Sequence, residues 1–360
     1  MIALLVLAIL VFLIVAHEFG HFVMAKIFKV RVDEFGIGYP PRAYLLGKFG
    51  DTEYTLNWLP FGGFVRLFGE ENTHGKGSLS DAKRWKQALI LVAGVTANAV
   101  VAYLLFTVAF TQGVPRIVDT HVAGEKVHLL ISDIVSGSPA EAGGLLSGDE
   151  IVRVTSDKAD APDALTPDGV TNFVRVRGGE NIMISYLRAG TTTTVAMHPA
   201  NAIVPGEAGR PALGIGLVSV SNDPLPLFES MHDAAITTMN AFGYVFNSLW
   251  SIVWGVLHGA PNLSQVVGPI GLVQVIGDAT HSGIGYVIEL AAFISVNLAI
   301  VNLIPIPALD GGRLAVLGIE AITRRRSSHL AIQIINTLGI ALIILLMIVV
   351  TYHDIVRLFT

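Results

Sequence analysis

The sequence predicts a polytopic α-helical membrane protein with about four transmembrane helices, a membrane-associated β-hairpin on the cytoplasmic side and one separate extracytoplasmic β-rich domain. Three observations lead there. Of 360 residues, 52% are hydrophobic and only 14% charged, with a mean hydropathy of +0.63, too apolar for an ordinary soluble protein. Uncharged apolar runs recur that are long enough to cross a hydrocarbon core of ~30 Å at about 1.5 Å per residue. Residues 113–222 instead carry the alternating pattern of strands. The chain therefore divides into 1–112, 113–222, 223–284 and 285–360. A net charge of −5 and no basic patch interleaved with aromatics give no reason to expect nucleic acid. With no cysteine there is neither a disulfide framework nor a thiolate ligand, so any metal must be held by histidine and carboxylate.

The first span runs from about Ile2 to Ala25. It lacks a basic leader and a clear small-residue cleavage site, which favours a retained helix over a signal peptide. Near its end stands His17-Glu18-Phe19-Gly20-His21. Residues four apart share a helix face, so His17 and His21 can hold one metal while Glu18, beside that face, reaches a water there. Ionisable groups at membrane depth need partners, which marks a functional site by default. Two histidines satisfied by neighbouring helices are the alternative.

Lys26, Lys29, Arg31, Arg42, Lys48, Arg66, Lys76, Lys83 and Arg84 put the following loop on the cytoplasmic side. Within it Val30–Gly38 and Thr52–Leu59 favour short strands, with turn signals at Pro40 and Pro41 and again at Pro60, Gly62 and Gly63. Such a sheet lies in water or is shielded by protein near the site; an ordinary cytoplasmic loop is the alternative. The second span, about Ala88 to Thr111, has Gly94 and Asn98 on one face. Asn98 needs a partner inside the bundle, through helix packing or through the active site.

In residues 113–222, strands are expected around Val127–Val135, Glu150–Val154, Ile182–Tyr186 and Thr192–Ala196. Between the first two, Ser138 can cap a short helix with Pro139 in its first position, and Gly143 or Gly144 can end it. The run from Ser138 to Ile151 resembles the S-P-A-x-x-A-G-L-x-x-G-D-x-I signature of bacterial PDZ domains, with Gly143 in place of the second alanine. That resemblance implies one PDZ-like domain, whose groove either binds peptides by strand addition or serves as a spacer or steric filter.

Pro224 to Ala260 is periodic but interrupted by Glu229, His232, Asp233, Asn240 and Asn247, which suits helices lying at the outer interface better than a crossing. The third span, about Tyr286 to Ile304, runs into Asn302-Leu303-Ile304-Pro305-Ile306-Pro307-Ala308-Leu309-Asp310-Gly311-Gly312, where Pro305 and Pro307 break the helix. Arg313, Arg324, Arg325 and Arg326 make this end cytoplasmic, so Asp310 emerges on the same side as His17 and His21. Capping a helix ahead of Gly311 is its alternative role. The fourth span runs from about Leu330 to Val350, with a short outer tail from Thr351.

Taken together, the chain resembles the site-2 protease family of intramembrane zinc metalloproteases, in particular the bacterial regulator-of-sigma-E type. The resemblance rests on His17 to His21, Leu59 to Val65, the PDZ-like domain, Val267 to Gly271, and Asn302 to Gly312 as N-x-x-P-x-P-x-L-D-G-G. It implies Zn2+ held by His17, His21 and Asp310, with Glu18 as catalytic acid and base. It implies substrate contacts from Asn297 and Asn302, and from Asn98 in a G-x-x-x-N motif with Gly94. The loop strands resemble an element that holds an extended substrate. The implied activity is regulated intramembrane proteolysis in a bacterial inner membrane, amid lipid, with the PDZ-like domain outside. Its implied substrate is a single-pass membrane protein, such as an anti-sigma factor or remnant signal peptide, first cut by an upstream site-1 protease. A non-catalytic, membrane-anchored PDZ adaptor is the competing reading, and it would need neither Glu18 nor three ligands. A metal transporter would not need the outer domain.

Overall fold

The computed structural model describes residues 1–69, 74–118, 126–158, 160–188, 190–201, 209–258, 268–324 and 329–359. Arg325, Arg326, Val267 and Ala260 lie outside them. The chain forms two compact units, Met1–Thr111 with Pro226–Thr360, and Gln112–Leu225.

The first unit begins with α1 (Ile2–Ile27), which no proline interrupts. A long hairpin follows, β1 (Val32–Phe49) and β2 (Thr52–Leu67), and then α2 (Arg84–Thr111). The reversal sits at Gly50, whose φ of 60° suits glycine. The turns expected at Pro40–Pro41 and at Pro60–Gly63 are not there, and both strands run through those positions. The hairpin bends over on itself, so residues 34–37 pair with 63–66 on one side and with 53–56 on the other, while 42–49 pair with 52–57. Gly38 and Gly62, each with φ 79°, supply the bends. Proline and glycine here mark bends within strands rather than strand ends.

The second unit is β-rich. It contains β3 (Arg116–Ile117), β4 (Val127–Ile134), α3 (Pro139–Ala142), β5 (Glu150–Ser156), α4 (Pro167–Arg175), β6 (Ile182–Arg188), β7 (Thr191–Met197) and β8 (Ile215–Ser221). The strands form one sheet in the order β3-β8-β4-β5-β6-β7, with antiparallel neighbours. Leu129 and Ile131, and Ile182 and Ile184, alternate onto one core with Ile151 and Val154, whose odd spacing is absorbed by a register shift between Ile151 and Arg153. Val170, Phe173 and Val174 of α4 close it. Ser138 accepts the Glu141 N–H at 3.3 Å, capping α3 with Pro139 at its first turn. Asp149 accepts from Arg188 Nε and Nη2, both at 2.6 Å, and from the Leu146 N–H at 2.8 Å.

The first unit resumes with α5 (Leu227–Leu257), α6 (Pro269–Ser282), α7 (Ile284–Leu303), α8 (Asp310–Thr323) and α9 (His329–Phe359). Among the described residues, α1, α2, α7 and residues Ile332–Val356 of α9 are long and apolar enough to cross a membrane, so this is a multi-pass membrane protein. The 31-residue α5 packs against α2 and α7. Phe106 of α2, fully buried, meets Phe293 of α7 edge-on at 5.0 Å. The tail expected from Thr351 continues as helix to Phe359. No helix breaker follows Thr351, and Asp354 in this stretch accepts the N–H groups of Gly268, Ile270 and Gly271 at 3.1, 3.1 and 2.9 Å.

Candidate metal centre

The centre is built where α1 crosses α2. Gly20 lies so close to α2 that a side chain there would collide with the Ala93 carbonyl. Gly94 leaves room for both imidazoles, since a Cβ on it would meet His21 Nε2 and fall 2.7 Å from His17 Nε2. His17 and His21, one turn apart, are both buried. The Pro305–Pro307 break ends α7, and Gly311 and Gly312 pack against the carbonyls of Leu303, Ile304 and Ile306. That tight turn delivers Asp310 as the first residue of α8.

Asp310 does not cap α8; Leu309 holds the capping position without a side-chain bond. Instead Asp310 Oδ2 lies 2.9 Å from His17 Nε2 and 3.1 Å from His21 Nε2, and the two Nε2 atoms are 3.1 Å apart. Among the described residues this is the group of His, Asp and Glu side chains that could hold a metal, all donors lying within 4.8 Å of one another. Donors about 2.0–2.2 Å from a tetrahedral ion sit roughly 3.3 Å apart, so the trio closes around a divalent cation with only a small outward shift. His21 Nδ1 is 2.7 Å from the Ile90 carbonyl, to which its N–H donates, leaving the Nε2 lone pair for the ion. The Gly94 cradle, the donor chemistry and this second contact all fit a metal site.

Glu18 stands beside the trio, half-buried, and its Oε2 accepts the Val65 N–H of β2 at 3.1 Å. Asn98 is buried: its Nδ2 atom is 3.4 Å from His17 Nδ1, its backbone oxygen accepts from Ser295 Oγ at 2.8 Å, and its Oδ1 has no partner. Its side chain is enclosed against the His17 ring. Asn297 is exposed and donates to the Phe293 carbonyl of its own helix at 2.9 Å. Asn302 is half-buried in the last turn of α7. Neither is hydrogen-bonded to His17, Glu18, His21 or Asp310 among the described residues. Sequence reasoning did not reach the Ile90 carbonyl or the Val65 N–H, because backbone groups carry no residue-type signal. Ser295, a hydroxyl in an apolar helix, was legible as polar but not as the partner of Asn98.

The chain matches peptidase family M50 over residues 5–346. It is 32% identical over 347 residues to a Clostridium perfringens protein named as a zinc metalloprotease, covering 96% of this chain and 95% of the relative. It is 26% identical over 433 residues to zinc metalloprotease RasP of Geobacillus kaustophilus, covering 96% of each. A chloroplast membrane metalloprotease of Arabidopsis thaliana is 30% identical over 353 residues, covering 94% of this chain and 76% of the relative. The match spans the helices that carry His17, His21 and Asp310, and the chain belongs to peptidase family M50, the site-2 protease family.

Proposed function

We propose that this protein is an intramembrane zinc metalloprotease that cuts single-pass membrane proteins within the bilayer. The observation that carries the reading is the convergence of His17, His21 and Asp310 from two helices, with Glu18 alongside. The zinc metalloprotease names of relatives that align along almost the whole chain support it.

In this reading His17 and His21 hold zinc through Nε2, and Asp310 holds it through Oδ2. When bound, zinc polarises the scissile carbonyl as a Lewis acid and brings the pKa of a water to about 7. Glu18 takes a proton from the attacking water and returns it to the leaving amide nitrogen. The Val65 N–H keeps the Glu18 carboxylate turned toward that work. Peptide groups inside a substrate helix are tied up in its own hydrogen bonds, so the segment must unwind before attack. Asn297 and Asn302 meet the groups so released, and the β2 edge beside Glu18 takes the extended segment by strand addition.

The β-rich unit is read as a PDZ-like domain on the extracytoplasmic face of a bacterial inner membrane. The Ser138 cap ahead of Pro139 and the antiparallel sheet support that reading. The substrate class is a membrane protein already trimmed outside by a site-1 protease, such as an anti-sigma factor or remnant signal peptide. The test incubates zinc-loaded protein with a single-pass membrane substrate and compares it with Glu18→Gln. Both should bind zinc equally, with processing by the variant roughly 10²–10⁴-fold slower. Equal processing by both would sink the protease reading.

A further inference from the structure

The orphaned oxygen of Asn98 is the observation the mechanism above leaves unused. With the amide turned as it stands, Nδ2 donates to His17 Nδ1 at 3.4 Å. That contact requires the His17 proton to be on Nε2, which aims it at Asp310 and closes the lone pair a metal needs. It also leaves Oδ1 buried without a partner, which is costly. Amide oxygen and nitrogen are assigned from such networks. Rotating the amide by half a turn resolves the first fault and gives Oδ1 a donor, with Nδ2 taking the place that has no partner. Oδ1 then accepts the Nδ1–H of His17, and Nε2 is left bare toward Asp310 and His21.

We infer that Asn98 is a positioning residue for the metal centre: its side-chain oxygen fixes the tautomer and ring orientation of His17. The inference rests on the assignment of His17, His21 and Asp310 as ligands. It gives the two histidines equivalent supports, Ile90 oxygen behind His21 and Asn98 oxygen behind His17. The spacing of Gly94 and Asn98 puts them on one face of α2. Gly94 clears the space in front of the rings, and Asn98, one turn on, reaches behind His17. Ser295 secures the backbone at that turn through its bond to the Asn98 carbonyl.

The test measures zinc affinity of the full-length protein in detergent, by competition with a calibrated chelator. Variants are Asn98→Ala, Asn98→Leu, which keeps bulk without an acceptor, and Asn98→Asp, which restores an acceptor oxygen. Asn98→Ala and Asn98→Leu should bind zinc roughly ten- to a hundred-fold more weakly. Asn98→Asp should stay within about threefold of wild type, as outer-shell carboxylates support ligand histidines equally well. Wild-type affinity in Asn98→Leu, or equal loss in all three variants, would overturn the inference while leaving the ligand assignment standing. Failure of the wild type to bind zinc, or unchanged affinity in His17→Ala, would instead remove the ligand assignment and this inference with it.

Discussion

Gly94 shows how little room a metal site leaves. A Cβ there would fall 2.7 Å from both Cε1 and Nε2 of His17, and at Gly20 α1 lies directly against the Ala93 backbone. Gly94→Ala should therefore cost about 1–3 kcal/mol in overpacking and lower the zinc content measured after purification. Gly243 in α5 has nothing within 4 Å of a built Cβ, so Gly243→Ala is the matched control and should gain up to about 1 kcal/mol of helix propensity. In the β-rich unit, the Arg188 guanidinium holds the Asp149 carboxyl below the usual carboxylate range. A depressed folded-state pKa contributes stability above the ordinary value and loses it as pH falls through the depressed one. Arg188→Gln should thus lower the thermal midpoint at neutral pH, and its deficit should shrink on acidification below about pH 4. A deficit independent of pH would contradict this.

At the scale of elements, the Gly268-to-Gly271 stretch acquires a physical role. Three N–H groups at the start of α6 converge on Asp354 of α9, a negative charge at the positive end of a helix. A side chain on Gly268 would collide with the Asp354 carboxylate and with Val350. Asp354→Ala should destabilise this junction by about 1–3 kcal/mol. The readout is faster hydrogen exchange of the α6 amides, with α2 unchanged; unaltered exchange in α6 would show that the contact holds nothing. The sequence displayed this glycine-proline cluster but not its partner, because Asp354 is over eighty residues away and falls where a tail was expected. The hairpin failed in a similar way. Local turn rules read Pro40, Pro41, Pro60 and Gly62 as turns that end the strands, yet strand pairing on both sides of residues 34–37 carried the strands through them.

For the whole molecule, zinc is a ligand of the folded state and so couples to stability. Chelation should abolish processing and lower the thermal midpoint of the wild type. At free zinc a thousand times its dissociation constant, the stabilisation lost is about 4 kcal/mol. Glu18→Gln should show the same shift, since it keeps the ligands, and His17→Ala almost none. An unshifted midpoint in the wild type would argue against a resident metal.

The sequence by itself determined the four helices that, among the described residues, are long and apolar enough to cross a membrane, the β-rich unit between the second and third, and the His17-Glu18-Phe19-Gly20-His21 face. All of these are written in hydropathy and in periods of two and 3.6 residues, which survive without knowledge of distant neighbours. Positive-inside topology went one step further and put Asp310 on the side of the histidines. Tertiary structure alone decided that Asp310 turns from helix capping to the His17 and His21 rings. It alone brought the Ile90 carbonyl, the Val65 N–H and the Asn98 side chain to the centre. These outcomes depend on the distance between two helices and on backbone atoms common to every residue type, and neither is encoded at any one position of the chain.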